Sequence, residues 1–83
     1  MTEDKILEQL TEIFSEIFRR DDLVLLRTTT AKDVPGWDSF YQVEIALAIE
    51  EQMNIKLRTS EMNELKNVGE LVKLVAGKLK GAR

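Results

Sequence analysis

Between Glu3 and Phe18 the apolar residues recur with the period of a helix. Ile6, Leu7, Leu10, Ile13, Phe14, Ile17 and Phe18 are separated by one, three, three, one, three and one positions. At roughly 100° per residue that spacing gathers them into a single stripe. Glu3 and Asp4 suit the first turn of such a helix and Arg19 and Arg20 its last. The stripe needs a partner surface. A membrane surface is disfavoured, because the face opposite the stripe is acidic rather than basic. The stripe therefore reads as the core face of a small helical protein.

The rest of the chain supports helices over strands. The apolar run Leu23-Val24-Leu25-Leu26 has no second strand-like run to pair with, and a lone strand leaves its backbone groups unmatched. Residues Asp21 to Trp37 are expected to form a long connection, with a helical turn at most, whose leucines plug the core. Thr28-Thr29-Thr30 and Lys32-Asp33 supply its polar turns. A connection this long is unusual and tends to be functional. Trp37 either packs under it, pinning its geometry, or stays exposed for a partner; packing is the favoured reading.

The connection ends at Gly36-Trp37-Asp38-Ser39-Phe40. Gly36 after Pro35 marks a turn, and Asp38 is a strong N-cap residue. The next helix is expected over Ser39 to Met53, which contains no Gly or Pro. Ser39 then falls at the first helical position, its hydroxyl beside the positive end of the helix dipole. A phosphodiester attached there would meet free N–H groups and a favourable field.

This second helix has two apolar stripes. Ile45, Ala46, Ile49 and Met53 lie on one side, and Phe40, Val43 and Leu47 on nearly the opposite side, flanked by Glu44 and Glu51. One stripe is enough for a core. The other is either a docking surface edged with carboxylates or buried too, if the helix is central.

Thr59-Ser60-Glu61-Met62 opens a short third helix, capped by Thr59 or Ser60, with Met62 and Leu65 turned inward or towards the docking strip. Asn67-Val68-Gly69-Glu70 has the form of a capping box. Val68, Leu71, Val72, Val75 and Leu79 give the stripe of the last helix, with Lys78 and Lys80 at its end and Gly81 as its cap. The fold class expected is all-α: one four-helix bundle over residues 1–83, three helices long and the third short, with a long loop between the first two.

Composition narrows the chemistry. The 83 residues contain no cysteine and no histidine, which removes thiol nucleophiles, thiolate metal sites and the commonest general base. Ser39 has no base to activate it as a nucleophile, and Tyr41 breaks the Gly-x-Ser-x-Gly pattern. No Gly-rich phosphate loop and no calcium-binding loop occurs. Fifteen acidic residues against 12 basic ones give a net charge of −3, which disfavours nucleic acid. The acidic start Met1-Thr2-Glu3-Asp4 and the lack of a long apolar run disfavour a signal peptide or a membrane span, so a soluble cytoplasmic protein is expected; a monomer is expected too.

The triplet Asp38-Ser39-Phe40 at a helix start resembles the attachment site of acyl carrier proteins. The resemblance continues through Val43-Glu44-Ile45-Ala46-Leu47-Ala48-Ile49-Glu50-Glu51-Gln52-Met53 and the turn Asn54-Ile55-Lys56-Leu57, and spans about Leu7 to Leu79. It implies a carrier rather than an enzyme. A phosphopantetheinyl transferase would move 4'-phosphopantetheine from coenzyme A onto Ser39, and the arm would hold acyl groups as thioesters. Transient partners, the acyl-loading and acyl-processing enzymes, would read Glu44, Glu50 and Glu51, with Phe40, Val43, Leu47 and Met62 as apolar contacts.

Tyr41 stands where the fatty-acid type usually has an acidic residue. Arg58 and Thr59 replace the usual Pro and acidic pair. These departures point towards a specialised carrier as readily as towards primary fatty-acid synthesis, and the chain's small size and its ends lead us to expect a free-standing one. A cofactor-free helical interaction domain using the Phe40/Val43/Leu47 strip is the alternative.

Overall fold

A computed structural model describes residues 2–81. Four helices follow in order: α1 (Glu3–Phe18), α2 (Ser39–Met53), α3 (Thr59–Asn63) and α4 (Val68–Gly81), with a 3-10 turn at Ala31–Asp33 inside the long connection. No strand occurs among the described residues. α1 packs against α2 and α4, and α3 lies against α2.

Each boundary has a local cause. Thr2 caps α1 through its hydroxyl, which accepts from the Lys5 N–H at 3.2 Å. α1 closes at Arg19, held in the left-handed region at φ 55°. Arg19 and Arg20 thus lie beyond the helix rather than in its last turn, and Arg20 pairs with Asp22 at 3.3 Å. Asn54, a residue that tolerates the left-handed region, ends α2 at φ 56°.

α3 is capped differently from expectation. Thr59 is already helical and Arg58 takes the cap position, so neither Thr59 nor Ser60 caps. The Glu61 carboxylate reaches back instead and accepts from the Arg58 N–H at 2.9 Å. At α4 the Asn67 side chain accepts from the Glu70 N–H at 2.9 Å. Glu70 reaches one residue further back than a capping box requires, to the Lys66 N–H. Gly81 is still helical, so it is not the cap expected there.

The core joins all four helices. α1 contributes Ile6, Leu10, Ile13 and Phe14, α2 Ile45, Ile49 and Met53, α3 Met62, and α4 Val68, Leu71, Val72 and Val75. The loop adds Leu25 and Val34. Its other apolar residues divide. Leu23 is half-buried, whereas Val24 and Leu26 are exposed. The segment has no regular structure, and of its three leucines only Leu25 is fully buried.

The connection also closes the start of α4. The first N–H groups of a helix have no intrahelical acceptor. Here the carbonyls of Thr29 and Arg27 take those of Val68 and Gly69, each at 2.8 Å. Thr29, nearly buried, is itself held by a hydrogen bond from the Leu26 N–H to its hydroxyl at 2.9 Å. Arg27 ties the same loop to α1 through Glu3 and Asp4, at 2.8 and 3.3 Å.

α3 is short, and one of its anchors is ionic. Glu61 also meets Lys78 of α4 at 3.0 Å. The Arg58 N–H, and after it Lys78, hold the Glu61 carboxyl below its ordinary value of 4.5. A depressed carboxyl contributes stability above its unfolded value and loses it as pH falls through the folded one. Urea midpoints measured as a function of pH are therefore expected to fall below pH 4.5 more steeply for the wild type than for Glu61→Gln. Parallel profiles would show that the contact contributes nothing.

Candidate functional site

The site is the mouth of α2. The Trp37 N–H donates to the Val34 carbonyl at 3.1 Å and closes a turn over Pro35 and Gly36. Gly36 has φ +93°, the region that the third residue of a type II turn needs and that a glycine enters freely. From that turn the chain enters α2. Asp38 caps it, its carboxylate accepting from the Tyr41 N–H at 3.0 Å and its carbonyl from the Gln42 N–H at 2.9 Å.

Ser39 is the first helical residue and is exposed. The N–H groups of Ser39 and Phe40 precede the intrahelical ladder and have no acceptor among the described residues. A nucleophilic oxygen thus stands in the open beside two free donors at the positive end of the helix. Neither histidine nor cysteine exists to activate it within the chain.

The mouth is braced from two sides. Trp37 is half-buried, edge-on to Phe14 with ring centroids 5.1 Å apart, so the packing reading of this residue holds. Its indole N–H donates to Gln42 Oε1 at 2.6 Å, and Gln42 Nε2 donates to the Met62 carbonyl at 2.6 Å. Gln42 thereby links loop, α2 and α3 one turn below Ser39. On the other side Tyr41 lies over Phe18 at 4.9 Å, fastening α2 to the end of α1.

Two clefts open from Ser39. One, of about 300 Å³, runs between Trp37, Asp38 and the α3–α4 junction at Asn63, Lys66 and Asn67. The other, of about 220 Å³, runs between α2 and α3 over Val43, Leu47, Leu57 and Met62. A substituent on Ser39 has room on either side.

Residues 8–75, Ser39 among them, match the family model described as the phosphopantetheine attachment site. The chain resembles the solution structure of a holo acyl carrier protein from Geobacter metallireducens at 39% identity and a TM-score of 0.85, covering 92% of this chain and 87% of that one. The chain belongs to the acyl carrier proteins. A crystal structure of an acyl carrier protein from Thermotoga maritima shares the fold at a TM-score of 0.85 and 22% identity, over 98% of this chain and 94% of that one. The family is one of carriers rather than catalysts, and its cofactor is phosphopantetheine.

In this acyl carrier protein the second stripe of α2 is open rather than buried. Phe40, Val43 and Leu47 are 66%, 49% and 56% exposed. Glu44 and Glu51 flank them, also exposed and in no ion pair among the described residues.

Two of the residues named for partner contact are engaged elsewhere. Glu50 is half-buried, and its carboxylate accepts from the Leu57 N–H at 2.7 Å, fastening the α2–α3 turn. Met62 is only 1% exposed and belongs to the core, forming the floor between α2 and α3 rather than part of the open strip. Of the residues named for partner contact, Phe40, Val43, Glu44, Leu47 and Glu51 are the exposed ones.

Proposed function

We propose that Ser39 is the phosphopantetheine attachment residue, and that the chain delivers acyl thioesters to partner enzymes of fatty-acid, polyketide or other specialised acyl biosynthesis. The observation that carries this reading is the exposed Ser39 hydroxyl at the first position of a capped helix, beside two unpaired N–H groups. A phosphoryl group fits there, since it supplies the negative charge and acceptor oxygens that the helix end lacks.

A transferase supplies the base. Ser39 Oγ bonds to phosphorus as the pyrophosphate link of coenzyme A breaks, its proton passes to that enzyme, and the nucleotide half leaves. The bound group provides a terminal thiol on which acyl groups are held as thioesters. The chain's own residues do the rest. Asp38 holds the first turn in shape, Trp37 and Gln42 keep the loop against α3, and the N–H groups of Ser39 and Phe40 would be free to donate to a phosphoryl group there. Tethering raises the local concentration of the acyl group at a docked enzyme.

The experiment is intact mass measurement after incubation with coenzyme A and a broad-specificity phosphopantetheinyl transferase. The carrier reading expects a gain of one phosphopantetheinyl group. No gain with several transferases would leave a cofactor-free interaction domain as the better account.

For partner encounter the reading assigns steering to Glu44 and Glu51 and apolar contact to Phe40, Val43 and Leu47. Glu44→Lys with Glu51→Lys is expected to slow loading by a partner enzyme by about tenfold or more at low salt. Melting temperature is expected to stay nearly constant, because isolated exposed charges contribute little to folding. A large fall in melting temperature would make those carboxylates structural instead.

A further inference from the structure

The two clefts that meet at Ser39 differ in chemistry. The slit between α2 and α3 is walled by Val43, Ala46, Leu47, Leu57 and Met62 and by as many polar residues, with Glu50 as its one charged residue and no cation. The cleft towards the α3–α4 junction has Ala31, Trp37 and Leu65 on its wall beside Asn63, which it shares with the slit, and the polar side chains of Lys66 and Asn67, which it does not. Lys66 is the only cation on its wall and Asp38 the only anion, among the described residues.

Lys66 is firmly placed at its backbone. Its N–H donates to the Glu70 carboxylate at 2.9 Å, and Asn67 beside it caps α4. Its side chain is exposed and in no ion pair among the described residues. Asn67 spends its side-chain oxygen on the Glu70 N–H, which leaves its amide N–H groups to donate. Gln42, by contrast, has both ends of its amide occupied.

A phosphodiester on Ser39 brings a full negative charge next to the Asp38 carboxylate. That repulsion needs a cation within the same cleft, and the helix end alone supplies only about half a charge. The pantetheine beyond it has a hydroxyl and two amides, which seek donors and acceptors such as the Asn67 amide. Resting on the assignment of Ser39 as the attachment residue, we propose that Lys66 is the positioning residue for the arm. Its ammonium pairs with the phosphodiester and draws the pantetheine across Asn63 and Asn67 rather than into the α2–α3 slit. The unloaded arm is thereby parked on the α3–α4 side of the mouth. The apolar strip of α2 stays clear for docking enzymes.

The test compares apo and holo protein by amide chemical shifts and follows the phosphorus resonance of the holo form. Mass measurement first establishes that the wild type, Lys66→Arg, Lys66→Gln and Lys66→Glu each carry one arm. In the wild type, conversion to holo is expected to shift the amides of Lys66 and Asn67 as well as those of Ser39 to Gln42. Lys66→Gln and Lys66→Glu are expected to lose the shift at Asn67 and to move the phosphorus resonance, whereas Lys66→Arg retains both wild-type signatures. Salt at about 1 M, where screening acts within ~3 Å, is expected to reduce the Asn67 shift in the wild type.

Shifts confined to residues 39–42, shifts at Val43 and Leu57 in place of Asn67, or an Asn67 shift undiminished in Lys66→Gln would each overturn the proposal while leaving the carrier reading intact. Failure of the wild type to accept an arm would overturn both. Lys66 is exposed and its backbone contact does not involve its side chain, so the variants are expected to fold as the wild type does.

Discussion

Ser39→Ala is expected to abolish phosphopantetheine loading completely while leaving the fold and its stability almost unchanged. The Ser39 side chain is exposed and is in none of the side-chain hydrogen bonds of the described residues. The cap belongs to Asp38. Alanine at a first helical position is a good helix former, so the stability change should stay within about 0.5 kcal/mol. Loss of function without loss of structure is the signature of a residue kept for its hydroxyl.

Asp38→Ala provides the contrast. It removes the acceptor for the Tyr41 N–H and is expected to cost about 1 kcal/mol, with slower rather than abolished loading. Circular dichroism melts beside intact mass separate the two roles. A Ser39→Ala protein that unfolds, or one that still takes an arm, would contradict the assignment.

The largest structural effect is expected at Gly69. By helix propensity alone, alanine there would stabilise α4 by up to about 1 kcal/mol. The tertiary contact reverses that sign. A Cβ at Gly69 would lie 2.9 Å from the Arg27 carbonyl oxygen, 3.2 Å from Asn67 Oδ1 and 3.3 Å from Arg27 Cβ. That carbonyl also accepts the Gly69 N–H at 2.8 Å, so relieving the clash means giving up a helix-end hydrogen bond.

Overpacking of this kind costs about 1–3 kcal/mol. At roughly 4–8 °C per kcal/mol for a domain of this size, Gly69→Ala should melt about 5–20 °C below the wild type. Gly77 is the internal control, since nothing lies within 4 Å of a Cβ built there. Gly77→Ala is expected to raise stability by about 0.5–1 kcal/mol. Two glycine-to-alanine changes on one helix thus should act in opposite directions. If both stabilised, the loop would not be seated on the start of α4 as described.

These contrasts show what the chain makes legible locally. α1 and α2 were readable to their ends, because the stripe from Ile6 to Phe18 and the Asp38-Ser39 start act over a few residues. The mouth of α2, and Ser39 in it, followed from the same local chemistry. The braces did not. The Gln42 amide meets the Met62 carbonyl 20 positions away, and Gly69 meets Arg27 across the whole of α2 and α3. No spacing rule within a helix reports such pairs.

Tyr41 is a further case. Read along α2 it is a departure from an acidic pattern; read in space it is the ring that Phe18 packs against. Glu50 and Met62 also have surroundings that no local spacing reports. Glu50 accepts from the Leu57 N–H after the chain turns back, and Met62 takes the inward of its two readings, in the core. For Phe40, Val43 and Leu47 the sequence allows an open strip or a second buried stripe, and the neighbours of α2 leave them open. α1 and α3 cover its other faces, and nothing among the described residues covers this strip.

The chain has three serines, Ser15, Ser39 and Ser60, and only their surroundings distinguish them. Ser15 is half-buried within α1, and Ser60 lies on the short α3. Fragmentation of peptides from the transferase-treated protein should find the phosphopantetheinyl group on Ser39 alone, at near-complete occupancy. A group on Ser60, or a phosphopantetheinyl mass that survives in Ser39→Ala, would contradict the account.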